Sequence, residues 1–277
     1  MSDTSQRSAA ELRAIVDTHP FWYHTIDIAP GVATPGWFDL RPVLHQIPLP
    51  DVRGKRCLDI GTFDGYFAFE MERRGAAEVV AVDVEDHLLW DWPPDYRAAD
   101  LARDPGFSGP PKGAGFRLAA ELLGSSVDWR PINIYDLDPS EIGQFDVVVC
   151  GSLLLHLRDP IRALEAVRSV TSGYFLSSEQ IELGMTLAAR RRPLYTLNGS
   201  GGECQWFNSN AAGHARMVFA AGFEIEQTSR PYNVRFNHHP IPQPTLRTRA
   251  RDVAIRALTG SSAPGVLHRA LLTRPRV

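Results

Sequence analysis

The sequence of 277 residues contains few cysteines and lysines and no long apolar run. Its three cysteines, Cys57, Cys150 and Cys204, are widely spaced and odd in number, which argues against a disulfide framework and against a zinc finger. No apolar run approaches the roughly 18 residues that a membrane-spanning helix needs. The first twenty residues are polar and lack the basic-then-apolar pattern of a secretory signal. These absences predict a cytoplasmic protein without a transmembrane segment.

Lysine is almost absent. Lys55 and Lys112 are the two lysines, and arginine supplies nearly all of the positive charge. The net charge of −3 gives no general reason to expect a nucleic-acid partner. The C-terminus is the exception, since residues 245–277 carry seven arginines and one acid. We therefore predict a basic C-terminal tail at 241–277. Both a solvated tail and contact with an anionic partner or a membrane surface remain open.

The most informative stretch, residues 56–67, has the pattern of a short apolar strand containing Asp59, a turn at Gly61 and the start of a helix. A second apolar run, 79–82, ends in Asp83, roughly 20 residues beyond the turn. This order of strand, glycine turn, helix, strand and terminal acid is typical of half of a nucleotide-binding βαβ unit.

The turn does not suit a dinucleotide. A dinucleotide fold places a second glycine where the backbone approaches the pyrophosphate, and here Phe63 occupies that position. Asp64 would also repel a phosphate at the helix N-terminus, where anions otherwise bind. Asp59 and Asp64 suit a cationic amino-acid group, and Asp83 suits ribose hydroxyls. The pattern therefore predicts a ligand that has a positive sulfonium and no phosphate.

Further strands and helices alternate along the chain. We predict helices at 8–17, 116–123, 160–170 and 211–221, and strands at 127–129, 145–150, 174–177, 223–227 and 233–236. This order predicts an α/β fold with a doubly wound, Rossmann-like, mostly parallel sheet and an antiparallel terminal strand pair. The predicted units are an N-terminal helix and aromatic cap at 1–50, the nucleotide-binding domain at 51–240, and the basic tail.

Two aromatic stretches flank the predicted site. The aromatic segment, residues 21–38, is rich in glycine and proline and has no helical period. It can be a strap packed on the core or a lid over the site, and the fold prediction adopts an N-terminal aromatic lid. The insertion after the second strand carries Trp90 and Trp92, either of which could stack on a base.

These features together resemble class I methyltransferases that use S-adenosylmethionine (SAM). The span of about 21–223 is similar to the broad family that includes the bacterial tRNA wobble-uridine carboxymethyltransferases. The resemblance rests on Leu58-Asp59-Ile60-Gly61, Asp64-Gly65-Tyr66, Gly75-Ala76 ahead of Val82-Asp83, Leu155-His156 with Pro160, Trp206-Phe207 and Gly222-Phe223.

The chain departs from the tRNA enzymes in one important position. They carry a tyrosine before the histidine, where it helps to hold a carboxylated SAM, and this chain has Leu155. Ordinary SAM is therefore expected as the cofactor. Residues 24–36 look more like a branch linked to small-molecule and glycan methylation. With the arginine bias, this resemblance implies an actinobacterial sugar O-methyltransferase of methylated-polysaccharide synthesis.

The resemblance and the strand ends together give the candidate site residues. The predicted cofactor contacts are Asp59, Gly61, Thr62, Phe63, Gly65, Tyr66, Asp83, Val84, Asn133, Ile134, Gly151 and Ser152. His156 is the first candidate for the base, because an imidazole with an ordinary pKa of about 6.5 can accept a proton at neutral pH. A role for His156 only in ordering its loop is the alternative. His24 and Glu179 are the reserve catalytic candidates. Magnesium bound by acids near the strand ends is a second route, for which no ligand set is named.

The predicted function is SAM-dependent O-methyl transfer to a hydroxyl of a small molecule, with a sugar or oligosaccharide as the expected substrate. The alternatives are a tRNA wobble-uridine methyltransferase-like enzyme and a non-catalytic SAM-binding subunit. A small-molecule or glycan substrate is expected as partner, nucleic acid is not, and homodimerisation is left open.

Overall fold

The computed structural model describes residues 7–94, 111–199, 204–238 and 245–276. The helices of this part are α1 (Ala9–Val16), α2 (Tyr66–Arg73), α3 (Ala114–Leu123), α4 (Pro139–Ile142), α5 (Pro160–Ser169), α6 (Leu183–Ala188), α7 (Ala211–Ala220) and α8 (Leu246–Thr259). The strands outside the main sheet are β1 (Asp27–Ala29), β2 (Val32–Ala33), β9 (Tyr195–Leu197) and β10 (Phe207–Ser209). The strands of the main sheet are β3 (Phe38–Asp39), β4 (Arg56–Ile60), β5 (Glu78–Asp83), β6 (Asp128–Pro131), β7 (Phe145–Gly151), β8 (Thr171–Gln180), β11 (Phe223–Thr228), β12 (Tyr232–Phe236) and β13 (Gly265–Pro275).

The main sheet has the order β6-β5-β4-β7-β8-β13-β12-β3, and β11 also pairs with β13. The strands from β6 to β8 are parallel, and the remaining pairs are antiparallel. The central parallel strands β4, β5 and β7 are buried on both faces, which explains why 147–150 is a continuous apolar run. The mostly parallel, Rossmann-like α/β fold is confirmed.

The C-terminal strand corrects the sequence prediction. β11 and β12 both pair with β13, and β13 lies between β8 and β12 within the predicted basic tail. Ala270 and Leu271 on this strand have no exposed surface. The solvated-tail alternative is therefore wrong for Gly265–Pro275, because the apolar residues between the arginines form a strand of the sheet.

The aromatic segment packs on the body of the protein. Trp22 is 2% exposed, and its indole N–H donates a hydrogen bond of 3.1 Å to the carbonyl of Val16. The backbone of Phe38 bonds to that of Tyr23 at 2.9 Å, and Asn237 donates to the carbonyl of Trp37 at 2.8 Å. The strap interpretation thus holds for this segment, and its role as a lid depends on what else it touches.

No helix of the described residues is long and apolar enough to cross a membrane.

Candidate functional site

A cavity of about 540 Å³ lies at the carboxyl ends of the parallel strands. This is the edge at which open α/β sheets bind ligands, and the volume is typical of ligand sites. Ten predicted cofactor contacts line it: Asp59, Gly61, Thr62, Phe63, Asp83, Val84, Asn133, Ile134, Gly151 and Ser152. The candidate bases His156 and His24 also line it. The sequence motifs therefore meet in one space.

The glycine turn shapes the floor of this cavity. Gly61 has a φ of +68°, and a Cβ there would come within 2.8 Å of a methyl group of Leu153, which follows β7. Phe63 also has a positive φ, +48°, which is uncommon for a residue with a side chain. Its N–H donates to Oδ2 of Asp83 at 3.0 Å, so the acid after β5 holds the turn in shape.

Two predicted cofactor contacts, Gly65 and Tyr66, are placed outside the cavity wall. Gly65 has a φ of +94°, and a Cβ there would meet the rings of Phe69 and Phe116 at 2.5 and 2.7 Å. Tyr66 is 7% exposed and packs beside the ring of His24. Both residues pack behind the turn, and their direct contact with the cofactor stays a prediction.

The aspartates at 59 and 64 bind the protein itself. Asp59 accepts hydrogen bonds from the Thr62 hydroxyl at 2.7 Å and from the Ala68 N–H at 3.1 Å. Asp64 accepts from the N–H groups of Tyr23 and His24 at 2.5 and 2.9 Å. Burial raises the pKa of each carboxyl to about 7. Asp64 thus holds the aromatic segment against the turn, contrary to its predicted contact with a cationic ligand group.

Asp83 has a partner that the sequence did not indicate. Its Oδ1 accepts from the Val84 N–H at 2.8 Å and forms an ion pair with the ammonium of Lys112. The Lys112 side chain is 4% exposed, and its Nζ lies 4.8 Å from the ring centre of Trp90 and 5.2 Å from that of Phe63. Burial lowers the pKa of Lys112, and Asp83 opposes this effect. The rarity of lysine in the chain was the one feature of the sequence that could have drawn attention to Lys112.

His156 is presented as a neutral imidazole. Its Nδ1 hydrogen-bonds to the carbonyl oxygen of Cys204, so Nδ1 carries the proton and Nε2 keeps a lone pair. Burial lowers the pKa of His156 below its usual 6.5, and the neutral form therefore prevails at pH 7. The N–H of Trp206 donates to the carbonyl of Leu155 at 2.7 Å and fixes the loop that carries the ring. The neutral imidazole of His156 can therefore accept a proton from a hydroxyl at Nε2.

The reserve candidates differ in position. His24 lines the cavity, and its buried Nδ1 has no hydrogen-bond partner within the described residues. Burial lowers the pKa of His24 to about 3. Glu179 lies outside the wall of the main cavity, where its Oε1 accepts from the N–H groups of Leu153 and Leu154 at 3.1 and 3.3 Å. Burial raises the pKa of Glu179 to about 8. Glu179 therefore supports the loop that leads to His156.

Ser152, a predicted cofactor contact, has a partner in the cavity wall that the sequence did not indicate, His268. The hydroxyl of Ser152 lies 2.8 Å from Nε2 of His268, whose Nδ1 lies 2.9 Å from the carbonyl oxygen of Val266. Nδ1 therefore donates to the carbonyl, and Nε2 accepts from the serine. Both side chains line the cavity, as does Gln180 at the end of β8. His268 was missed because it lies on β13, in the segment predicted to be a basic tail.

The described part of the insertion after β5 lines the cavity. Trp90 and Trp92 stack on each other with ring centres 5.4 Å apart, and both line the cavity. Asp91 between them accepts from the Tyr135 hydroxyl and from the Arg158 N–H, each at 2.7 Å. Stacking of either tryptophan on a base stays a prediction. Within the described residues, no group of three or more histidine, cysteine, aspartate or glutamate side chains could hold a metal ion.

Sequence comparison places this geometry among known proteins. A family model described as a methyltransferase domain matches residues 38–228. The ubiquinone biosynthesis O-methyltransferase of Neisseria meningitidis serogroup C (strain 053442) is 32% identical over 117 residues, which cover 42% of this chain and 39% of that protein. The tRNA U34 carboxymethyltransferase of Campylobacter hominis is 28% identical over 122 residues, which cover 44% of this chain and 34% of that protein. The matched region is thus less than half of either relative.

Solved structures share the fold at low identity. The N-terminal domain of EvdMO1 with S-adenosylhomocysteine (SAH) bound has a TM-score of 0.52 at 15% identity, with 98% of each chain covered. The [4+2]-cyclase SpnF also has a TM-score of 0.52, at 18% identity, with 97% of this chain and 93% of that chain covered. One architecture therefore extends over nearly the whole chain, and it is shared with a protein described as a cyclase.

Proposed function

The chain belongs to the class I SAM-dependent methyltransferases, and from this premise we propose that it methylates a hydroxyl of a small molecule, with a sugar or oligosaccharide as the acceptor. One observation carries the proposal. His156, a neutral imidazole with a lone pair at Nε2, lines the same cavity as Asp83 and the glycine turn. A base beside the cofactor residues is what a weakly acidic hydroxyl needs in order to react.

The residues of the cavity fit SAM. Gly61 leaves room where a side chain would collide with Leu153, and the Asp83 carboxylate lines the wall at the end of β5, where it can accept ribose hydroxyls. Asn133 and Ile134 would contact the adenine side. When bound, SAM supplies an electrophilic methyl group on a positive sulfur. The protein's own task is then to orient the acceptor and to accept its proton at Nε2 of His156.

The opposite side of the cavity supports a small polyhydroxy acceptor. Its walls combine aromatic rings, including Tyr23 and Trp37, with the polar groups of Ser152, Gln180 and His268. A sugar presents C–H faces that pack on rings and hydroxyls that need hydrogen-bond partners. A few placed polar groups among apolar walls are the usual basis of small-ligand specificity.

The competing functions have weaker support. One relative is a tRNA carboxymethyltransferase, but this chain has Leu155 where such enzymes hold a carboxylated SAM with tyrosine. A non-catalytic SAM-binding subunit would not need a neutral histidine in the cavity wall.

Purified protein incubated with SAM and separate panels of sugars, phenols and bulk tRNA tests the proposal, with SAH formation as the readout. We expect SAH to form with a sugar and the methyl group to be found on oxygen. Methylation of nitrogen, or of a tRNA nucleotide, would contradict the proposal. Exclusive methylation of phenols would retain O-methyl transfer and remove the sugar.

A further inference from the structure

The carboxylate of Asp83 is crowded in this structure. An ionised carboxylate offers about four lone-pair positions. Three are used here, by the N–H groups of Phe63 and Val84 and by the ammonium of Lys112. A ribose ring with two adjacent hydroxyls needs two positions. Asp83 therefore cannot accept both hydroxyls while it keeps all three present partners.

The partner that can leave is the lysine. The N–H groups of Phe63 and Val84 belong to the backbone of the turn and of the chain after β5. The ammonium of Lys112 is carried on a flexible stem of four carbons and can move without a change in the backbone. Two aromatic rings, those of Trp90 and Phe63, lie close enough to stabilise the cation as it moves.

From this competition we infer that Lys112 is an internal competitor in the cofactor site, which occupies Asp83 until the ribose displaces it. The inference depends on the proposed contact between Asp83 and the ribose. Without the ribose, the ion pair keeps a buried carboxylate from being left without a compensating charge. With the ribose, the hydroxyls replace the ammonium, and Lys112 moves toward the rings. A ligand without the two hydroxyls leaves the ion pair in place, so its affinity does not depend on this exchange.

The affinity for SAH tests the direction of this effect. Lys112→Met removes the charge and keeps the stem, so calorimetry should show SAH binding on the order of tenfold tighter than in the wild type, because no charge-assisted hydrogen bond is broken. Lys112→Arg keeps a competing cation and is the matched comparison, which should not show the tighter binding of Lys112→Met. Equal or weaker binding by Lys112→Met overturns the inference. In an Asp83→Asn background, Lys112→Met should have no further effect, and an effect that persists also overturns it.

The unmodified protein offers a second test, because it has only two lysines. With ¹⁵N-labelled lysine, the NMR signal of the Lys112 ammonium should shift on titration with SAH, whereas the exposed Lys55 serves as the internal control. A Lys112 signal that stays unchanged at saturating SAH contradicts displacement. Failure of the wild type to bind SAH at all would contradict the proposed function instead, so the two failures are distinguishable.

Discussion

Three aspartates around the glycine turn are chemically identical and yet have different partners. Asp59 holds the turn through Thr62, whereas Asp64 holds the aromatic segment. Only Asp83 lines the cavity with a partner that can move, Lys112. The partner of a buried carboxylate depends on which donors the fold brings near it, and spacing along the chain does not reveal those donors.

Asp83→Ala should weaken SAH binding. Loss of hydrogen bonds to a charged acceptor costs about 1.5–3 kcal/mol each, which corresponds to about ten- to hundredfold in affinity. Calorimetry measures this, and Asp51→Ala, at an exposed aspartate before β4, is the matched control. Unchanged affinity in Asp83→Ala would remove this residue from the cofactor site. NAD should bind neither the wild type nor Asp83→Ala, because the side chain of Phe63 occupies the position at which a dinucleotide site contacts the pyrophosphate.

His156→Ala should keep the affinity for SAH and lose about 10²–10⁴-fold in kcat, because a base acts in the transition state. Burial lowers the pKa of His156, and the neutral form is the active one. In the wild type, kcat should therefore rise with pH and reach its plateau with a midpoint below 6.5. His45→Ala, at an exposed histidine, is the control. Turnover within about threefold of the wild type would move the role to His24.

Glu179→Gln should change the free energy of unfolding little, and Glu179→Leu should lower it. A leucine leaves the N–H groups of Leu153 and Leu154 without their acceptor, at a cost of about 1–3 kcal/mol each, whereas glutamine keeps a carbonyl oxygen. Denaturant unfolding measures the difference.

The pH dependence of Glu179 gives a second measurement. The pKa is about 8 in the folded protein and about 4.3 in the unfolded chain. Between these values only the folded state holds the proton, so raising the pH destabilises the wild type. Glu179→Gln lacks this loss, and its stability relative to the wild type should increase from about pH 4.3 to 8. A difference that does not change with pH would show that the carboxyl is ionised in the folded protein.

At the scale of elements, the aromatic segment can be both a strap packed on the core and a lid over the cavity. Trp22 is buried in the core. Tyr23, His24 and Trp37 line the cavity. Deleting residues 1–36 would remove Trp22 and Val16 from the hydrophobic core. A local substitution is therefore the sharper experiment.

Gly36→Ala should disrupt the aromatic segment. A Cβ at Gly36 would come within 2.1 Å of the carbonyl carbon of His24, a backbone atom that cannot move alone. Gly54→Ala is the matched control, because nothing lies within 4 Å of a Cβ there, although its φ of +68° adds a strain of its own. Thermal unfolding should show the larger loss for Gly36→Ala, and its KM for the acceptor should rise more than its SAH affinity falls. Normal acceptor kinetics in a folded Gly36→Ala protein would remove the segment from the acceptor pocket.

At the scale of the whole molecule, different strands of the sheet line the two sides of the cavity. The parallel strands β4, β5 and β6, with the residues that follow them, carry most of the predicted cofactor contacts, and Gly151 and Ser152 lie at the end of β7. The strands β8, β12 and β13 supply Gln180, Val234 and His268 on the other side. His156 follows β7, between the two groups of strands. A base at this point in the sheet order is suited to act on an acceptor next to the cofactor.

Transfer RNA should not be the acceptor. α8 exposes Arg249 and Arg251, so weak RNA binding is expected, and it should fall steeply with salt and show no sequence preference. Filter binding between low and physiological salt measures this dependence. Labelled methyl groups at a single tRNA nucleotide would contradict the prediction.

The sequence by itself determined the βαβ unit, the parallel core and the placement of Asp83 and His156 at one edge of the sheet. These features are local, because a strand, its turn and its terminal residue are adjacent in the chain. Short-range periodicity also predicted most of the helices. The position of β13 was not predicted, because its pairing with β8 joins segments about 90 residues apart in the chain.

Only the tertiary structure decided which side chains meet. The contacts between Asp64 and Tyr23, between Asp83 and Lys112, and between Ser152 and His268 join residues 41, 29 and 116 positions apart. Such contacts depend on how helices and loops pack over the strand ends. A buried polar group binds whichever donor or acceptor that packing brings within reach, and no local pattern records the choice.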